Sequence, residues 1–579
     1  MQSADRPFQP PIATTLVGAG LLLALLMGAP DALGHDGNIR WRTLRSDVAE
    51  VHYPAPLAPF ARRLLAAFGD AYATLTPLFD YQPPLPVQLV VEDYADDSNG
   101  FANPMPYDRL LIRAAPPGPG DDLADNGDWV RALIFHEYSH LLHLGSVGGL
   151  PEVLNTVIGR TWLPNNLLPR FFVEGLATHM ETRHVGGDGA VANNGVGQGA
   201  GGRVEGARYM GRLRAAVRDG TFPEPRQLTG PPLKWPRGGG WYLYGSWLLD
   251  YQVRRYGHAR LRRFVNAYGA RLVPFAINNL YREIYGRDAV AMWHEGVADL
   301  SARLAVEARL RARAMVPPVA AKAVMNAAQL ALPPIQTTLA PTPTTPPPIP
   351  KALPSPGRRL TTDGQSRGRL RMHPDGRHGV YARAPLDDLA RIERLDLGSG
   401  RIDVLHRCEL DCDDVVVSPD GKWLLWTATR PYRRLYRHRD IFARRLAPDR
   451  AWGPVLRLTQ GLRGRELSIS PDGGRLWVVT MGGGLTALAS LPFADALARA
   501  QDGRPPPPAQ VSARANGLAQ VLSSPVEGPG RRLWYSAGAG PYRQLWSVPL
   551  DAAAKAAAPP SRVPDQGAQG VAEVSPDGR

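Results

Sequence analysis

Several things are scarce in this chain of 579 residues. It has two cysteines, too few for a disulfide-built scaffold or a four-cysteine zinc module. Lysine is rare: Lys234, Lys322, Lys351, Lys422 and Lys555 are five of 67 basic residues. The arginines are scattered, and no zinc finger, basic zipper or aromatic RNA-binding pattern accompanies them. The net charge of +14 therefore reads as an arginine-rich composition, with no nucleic-acid partner expected. After residue 27 no apolar run approaches the ~20 residues that span a bilayer. Disorder is excluded as well, because the chain is 44% hydrophobic and only 21% charged.

Glycine (60) and proline (57) are plentiful, and their placement divides the chain. Residues 1–34 read as an export signal: Arg6, the apolar run Ile12–Met27, then Ala32-Leu33-Gly34. The apolar run is short for an anchor, so a cleaved signal is expected, with no membrane span remaining and a mature protein in the periplasm or secreted. Residues 35–315 mix strand-like alternation with helical patterns. Residues 316–358 form a linker, with LAPTPTTPPPIPKALPSPG too rich in proline to pack as a helix. In an exported chain Cys408 and Cys412 fit either a tight hairpin bond or two free thiols, and neighbouring His406 alone makes no metal site.

Residues 359–579 repeat. Pro-Asp-Gly recurs at Pro374, Pro419, Pro471 and Pro576, with a degenerate copy at Ser524-Pro525. An apolar strand follows each of the first four copies: HGVYARA, KWLLWTAT, RLWVVTM and RLWYSAG. Proline presets such a turn and Asp-Gly supplies the positive φ that reverses the chain. A turn and strand at this period signal propeller blades. The lines resemble the TolB-like propeller repeat, in which Ser-Pro-Asp-Gly opens a strand. Four blades and a fifth cut off after its turn are expected, which implies an incomplete propeller and a chain that is a fragment.

The chemistry is expected between the signal and the linker. DWVRALIFHEYSHLLHLG holds His136-Glu137-Tyr138-Ser139-His140. Asp128 suits a helix start and Gly145 a helix stop. On a helix, His136 and His140 lie one turn apart on one face, where two imidazoles can share one Zn²⁺ with Glu137 beside them as a base. Glu174 follows 34 residues after His140 in LLPRFFVEGLATHMETR, with Glu181 two turns further on.

This order resembles the gluzincin metallopeptidases, which include thermolysin and the aminopeptidase N family. The resemblance implies an α+β domain of a small sheet and a helical lobe. It also implies His136, His140 and Glu174 as ligands of one zinc ion, with Glu137 as the acid/base. Glu181 fits either a carboxylate that holds a ligand histidine or a solvated one. Tyr242-Leu243-Tyr244-Gly245 matches the family's tyrosine three residues before a glycine, so Tyr242 is implied as the oxyanion donor, with Tyr244 competing. The aminopeptidase Gly-x-Met-Glu-Asn segment is replaced by SNGFANPMPYDRLLI. This offers an edge strand with Asn99, Gly100 and Asn103 but no glutamate for a free amine. An endopeptidase aligning an extended peptide or protein substrate is therefore expected.

Helices are expected near 244–256, 273–285 and 288–312, and the glycine-rich stretch 186–206 reads as a flap. The expected whole is a multidomain protein: a gluzincin-type zinc metallopeptidase joined to an all-β propeller that recruits substrate or an envelope protein. The competing reading is a non-catalytic envelope scaffold with a vestigial peptidase fold.

Overall fold

The computed structural model describes residues 37–314 and 360–563, except 119, 126–127, 186–190, 194–201, 233–235, 274, 362–367, 386–387, 434, 447–451, 518–520, 529 and 540–541. The expected signal, the linker and the last Pro-Asp-Gly copy lie outside the described residues, as does most of the glycine-rich stretch.

Alternation builds the first sheet. In β2 (Ala49–Pro54) Ala49, Val51 and Tyr53 are buried, and in β3 (Val87–Glu92) Val87, Leu89 and Val91 are. With β1 (Trp41–Arg45), β4 (Gly100–Asn103) and β5 (Arg109–Arg113) they form a sheet of order β1-β2-β3-β5-β4. β2, β3 and β5 run parallel, while β4 pairs antiparallel with β5 and forms an edge. Helix α1 (Ala58–Leu75) buries Phe60, Leu64, Phe68, Ala71 and Leu75, a helical stripe laid into the same core.

Helix α2 (Trp129–Gly145) buries every one of its residues but Arg131, its apolar side in the core and His136, Glu137 and His140 toward the cleft. Its N-cap is Asp128, whose carboxylate accepts from the Arg131 N–H (3.1 Å), as the sequence suggests. After it come α3 (Gly149–Ile158) and α4 (Arg170–Met180). Two short strands, β6 (Arg183–Val185) and β7 (Val191–Asn193), pair antiparallel, and α5 (Ala207–Arg218) comes next in the chain. The lobe is completed by α6 (Gly239–Tyr256), α7 (His258–Gly269), α8 (Ile277–Tyr285) and α9 (Ala289–Ala314). α7 was not expected, and α8 starts four residues later than the sequence suggests, behind Ala276 at φ 57°.

The C-terminal part is four antiparallel four-stranded sheets in sequence, a propeller-like arrangement. Blade one is β8 (Arg371–Met372), β9 (His378–Arg383), β10 (Arg391–Asp396) and β11 (Ile402–Arg407). Blade two is β12 (Asp413–Val417), β13 (Trp423–Tyr432), β14 (Tyr436–Arg445) and β15 (Val455–Arg457). Blade three is β16 (Gly464–Ile469), β17 (Arg475–Gly482), β18 (Leu485–Pro492) and β19 (Gln510–Arg514). Blade four is β20 (Leu522–Gly528), β21 (Arg532–Ala539), β22 (Tyr542–Pro549) and β23 (Ser561–Arg562). A helix, α10 (Phe493–Gln501), is inserted in blade three. Separate apolar layers fill the spaces between successive blades.

The repeated turn has a physical explanation. Ser418 Oγ donates to Asp420 Oδ1 (2.5 Å) and accepts from the Trp423 N–H (2.9 Å), and Gly421 takes φ 72°. Ser470, Asp472 and Gly473 repeat this geometry. The fourth copy differs from the sequence reading. Ser524-Pro525 lies inside β20, and the turn falls between Gly528 and Arg532. Each inner strand of blades two to four carries a bulge there, with Asp414, Glu466 and Ser524 at positive φ. Proline, which lacks an N–H, is tolerated where the ladder is interrupted. The bulges also join the blades: the Glu466 N–H donates to Asp414 Oδ2 (2.5 Å) and the Ser524 N–H to Glu466 Oε2 (2.7 Å). Cys408 and Cys412 are disulfide-bonded between blades one and two.

The propeller grips the loops at the ends of β3 and β5. Arg463 donates to Asp93 (2.7 Å) and Asp96 (2.6 Å), and Arg465 donates to the carbonyls of Pro116 and Pro117 (both 2.8 Å). The first of these loops leads directly into edge strand β4.

Candidate active site

A cleft of about 540 Å³ opens between β4, α2, α4 and the start of α6. Two glycines set its geometry. A Cβ on Gly245 of α6 would lie 1.9 Å from the Phe171 carbonyl oxygen of α4, and one on Gly175 would lie 2.4 Å from the Gly245 backbone carbon. Only glycine permits α4 and α6 to cross this closely. The crossing brings Glu174 (one residue before Gly175) and Tyr242 (three before Gly245) to the wall of the cleft.

His136 Nε2 and His140 Nε2 are 3.2 Å apart, and Glu174 Oε2 is 3.4 Å from each. Three electron-pair donors thus stand at the corners of a nearly equilateral triangle. A point equidistant from them is about 1.9 Å from each, close to the ~2.0–2.2 Å of zinc–imidazole and zinc–carboxylate bonds. Among the described residues this is the one group of three or more histidine, cysteine or acidic side chains so arranged. The donors fit a small divalent cation such as zinc.

The surroundings orient these donors. Glu181 Oε1 lies 2.9 Å from His136 Nδ1 and accepts its proton, which turns Nε2 to the cleft as the nitrogen that a cation would take in place of a proton. Arg203, buried, bonds the same carboxylate through Nε (3.0 and 3.1 Å) and Nη2, and its backbone N–H donates to Oε2 (3.2 Å). Gly202 makes room for this, since a Cβ there would meet Glu181 Cβ at 2.7 Å. Burial alone would lower the His136 pKa, but the carboxylates of Glu174 and Glu181 raise it to about 9. The same negative potential that holds a proton there would act on any cation. Burial works to raise the Glu181 carboxyl, but Arg203 and His136 outweigh it and hold the group below its ordinary range. In Glu174 burial is likewise overcome, here by the two histidines.

Glu137 is buried in the cleft. Burial raises its carboxyl pKa against the opposing pull of His136 and His140. The backbone of β4 lies directly upon it, because a Cβ on Gly100 would be 2.7 Å from Glu137 Cγ. Ser98, Asn99 and Phe101 of the edge segment also line the cleft. Asn99 Oδ1 accepts from the Gly100 N–H (3.0 Å). Asn103 is not brought to the cleft: its Oδ1 accepts from the Met105 N–H (2.9 Å) and holds the turn after β4.

Tyr242 stacks on His136 with ring centres 5.8 Å apart and lies under the Arg203 guanidinium. Tyr244 is buried against Phe222 and does not line the cleft, so of the two tyrosines the structure brings Tyr242 to the site. His143, one turn past His140, packs on Phe172, and burial lowers its pKa to about 3. Arg203 was missed from sequence. It lies within the glycine-rich stretch 186–206, where no periodic pattern flags it.

No family model matches the chain, and no curated protein matches it. Among solved structures it is similar to a putative TolB from Agrobacterium tumefaciens, at 16% identity and TM-score 0.28 over 36% of this chain and 65% of that one. A Mycobacterium tuberculosis puromycin-hydrolyzing peptidase matches at 21% identity and TM-score 0.24, over 34% of this chain and 30% of that one. TolB from Acinetobacter baumannii matches at 16% identity and TM-score 0.18, over 32% and 55%. The chain thus spans less than two thirds of the length of each of these structures, and likenesses at these scores carry no argument about its chemistry.

Proposed function

We propose that the chain is an exported zinc-dependent metallopeptidase of gluzincin type, acting as an endopeptidase. The observation that carries this reading is the convergence of His136 Nε2, His140 Nε2 and Glu174 Oε2 in a cleft that also holds Glu137 under an edge strand. One zinc ion would be held by these three side chains. Bound there, it supplies Lewis-acid chemistry that polarises a peptide carbonyl and makes water nucleophilic at neutral pH.

The chain's own residues do the rest. An extended substrate pairs with the free edge of β4, whose Gly100 backbone holds the scissile bond above Glu137. Glu137 takes the proton of the attacking water and passes it to the leaving amine, and its burial raises its basicity for that task. The Tyr242 hydroxyl, kept protonated by burial, donates to the developing oxyanion. Glu181 and Arg203 fix the ring of His136. No acidic side chain on β4 meets a free amino terminus, which favours internal cleavage.

Export to the periplasm or beyond is supported by the signal-like N-terminus and by the Cys408–Cys412 bond. The propeller serves to recruit substrate or an envelope protein. The test is casein hydrolysis by the full chain. Glu137→Gln should abolish cleavage while zinc stays bound, and Glu174→Ala should lose both. Absence of cleavage by the wild type would leave the scaffold reading in its place, and equal cleavage by wild type and Glu137→Gln would remove Glu137 from the mechanism.

A further inference from the structure

Helix α3 turns an apolar stripe to solvent. It faces the protein with Pro151, which is buried, and with Leu154 and Asn155, which are half-buried; the Asn155 side chain bonds Trp162 N–H (2.8 Å), Trp162 O (2.8 Å) and Thr161 N–H (3.1 Å), while Glu152 and Thr156 are exposed. Leu150, Val153 and Val157, with Ile158 at the helix end, are 52%, 58%, 77% and 64% exposed. A surface helix of a soluble domain normally turns that stripe inward.

The stripe has apolar neighbours. The Gly148 N–H donates to Gly269 O (3.3 Å), which seats the helix start beside the end of α7. Leu272, Val273 and Phe275 follow there, all exposed, with Phe275 at 73%. Trp162, on the loop that Asn155 holds, and Leu167 are exposed too. An apolar surface this extensive marks an interaction site.

We infer that α3 and the loop carrying Phe275 form an interfacial docking surface for an anionic phospholipid bilayer. Aliphatic side chains with tryptophan and phenylalanine are the residues that insert at a bilayer interface. The charge around them is complementary to anionic headgroups. Between residues 146 and 170 and between 269 and 279, the charged residues are Glu152, Arg160, Arg170 and Arg271, of which Arg160 is paired with buried Asp108 (2.7 Å) and Arg170 with Glu174 (3.3 Å). Arg271 and the exposed, neighbouring Arg109 then stand against Glu152, a net positive charge. A second copy of the chain is a poorer occupant, because a two-fold contact would set the same arginines against each other.

The surface borders the cleft. Leu167 lies between Asn166 and Leu168, both of which line it. A docked chain would therefore hold its cleft mouth close to the membrane plane. That consequence rests on the peptidase reading, whereas the docking does not.

The experiment is flotation of the full chain with vesicles of phosphatidylglycerol and phosphatidylcholine, alongside vesicles of phosphatidylcholine alone. The wild type should float with the anionic vesicles, and Val153→Asp/Val157→Asp should lower the bound fraction about tenfold or more. Phe275→Ser, on a separate element, should weaken binding in the same direction. An environment-sensitive dye on Val157→Cys should blue-shift when anionic vesicles are added. Casein hydrolysis in solution and the melting temperature should not change in the double-aspartate variant, which separates failure of docking from failure of the peptidase. Absence of wild-type flotation, or equal flotation of the variants, overturns the proposal. So does a wild-type dimer that the double variant dissolves while vesicles go unbound.

Discussion

Replacing Gly245 with alanine probes the helix crossing on which the site depends. The added Cβ would sit 1.9 Å from the Phe171 carbonyl oxygen, whereas real Cβ contacts essentially never fall below 3.0 Å. Backbone sits on both sides of the contact, so α4 and α6 must separate by roughly 1 Å or more. Overpacking of a close-packed core costs about 1–3 kcal/mol, and a backbone–backbone clash belongs at the upper end. For a domain of this size that corresponds to a fall in Tm of roughly 6–12 °C. The same displacement withdraws Glu174 from His136 and His140 by half the length of a zinc–ligand bond, so zinc affinity should fall with Tm. Gly211→Ala is the control: it lies mid-helix in α5 with nothing within 4 Å, and alanine there should stabilise by about 0.5–1 kcal/mol. Thermal unfolding and equilibrium dialysis against zinc read both effects. A Gly245→Ala protein with wild-type Tm and wild-type zinc binding would refute the reasoning.

Glu181→Gln should weaken zinc binding about 10- to 100-fold by releasing His136 Nδ1, measured by chelator competition. Arg203→Ala removes the guanidinium from buried Glu181, leaving it His136 Nδ1 alone of these two side-chain partners, and should cost about 3–5 kcal/mol in denaturant unfolding. Arg463→Ala strands Asp93 and Asp96 at the contact between the two parts, and should destabilise by a similar ~3–5 kcal/mol, read in the same way. His258, whose Nε2 donates to Leu78 O (2.9 Å), is driven by burial to a pKa of about 4. It is neutral when folded but takes a proton when unfolded below about pH 6.5. Its contribution is therefore full above about pH 6.5 and declines by about 3 kcal/mol as pH falls to about 4. His258→Gln should flatten the Tm–pH curve across that window.

The geometry of the candidate site was legible where it is local. His136 and His140 are separated by four residues, and any helix puts such a pair on one face. The Glu-Gly and Tyr-x-x-Gly patterns flagged Glu174 and Tyr242, but the sequence did not reveal that Gly175 and Gly245 meet each other. That contact depends on how two helices cross, which periodicity does not encode. Arg203 was hidden for a related reason, since its partner Glu181 is 22 residues away. The blade repeat was readable because the Ser-Pro-Asp-Gly turn is closed by its own side chains. Ser524-Pro525 misled because a proline at a bulge looks, in sequence, like a proline at a turn. α7 escaped notice because it begins directly after Gly257, where a helix end was expected. The outward apolar face of α3 could not be read at all, because an amphipathic pattern does not say which side the rest of the protein covers.

Metal content of the intact chain, purified without added zinc or chelator and measured by mass spectrometry of the elements, tests the central claim most directly. About one equivalent of zinc in the wild type, retained in Glu137→Gln and lost in Glu174→Ala, is the expected result. Wild-type protein without bound metal that still cleaves casein, or zinc retained equally in Glu174→Ala, would contradict it.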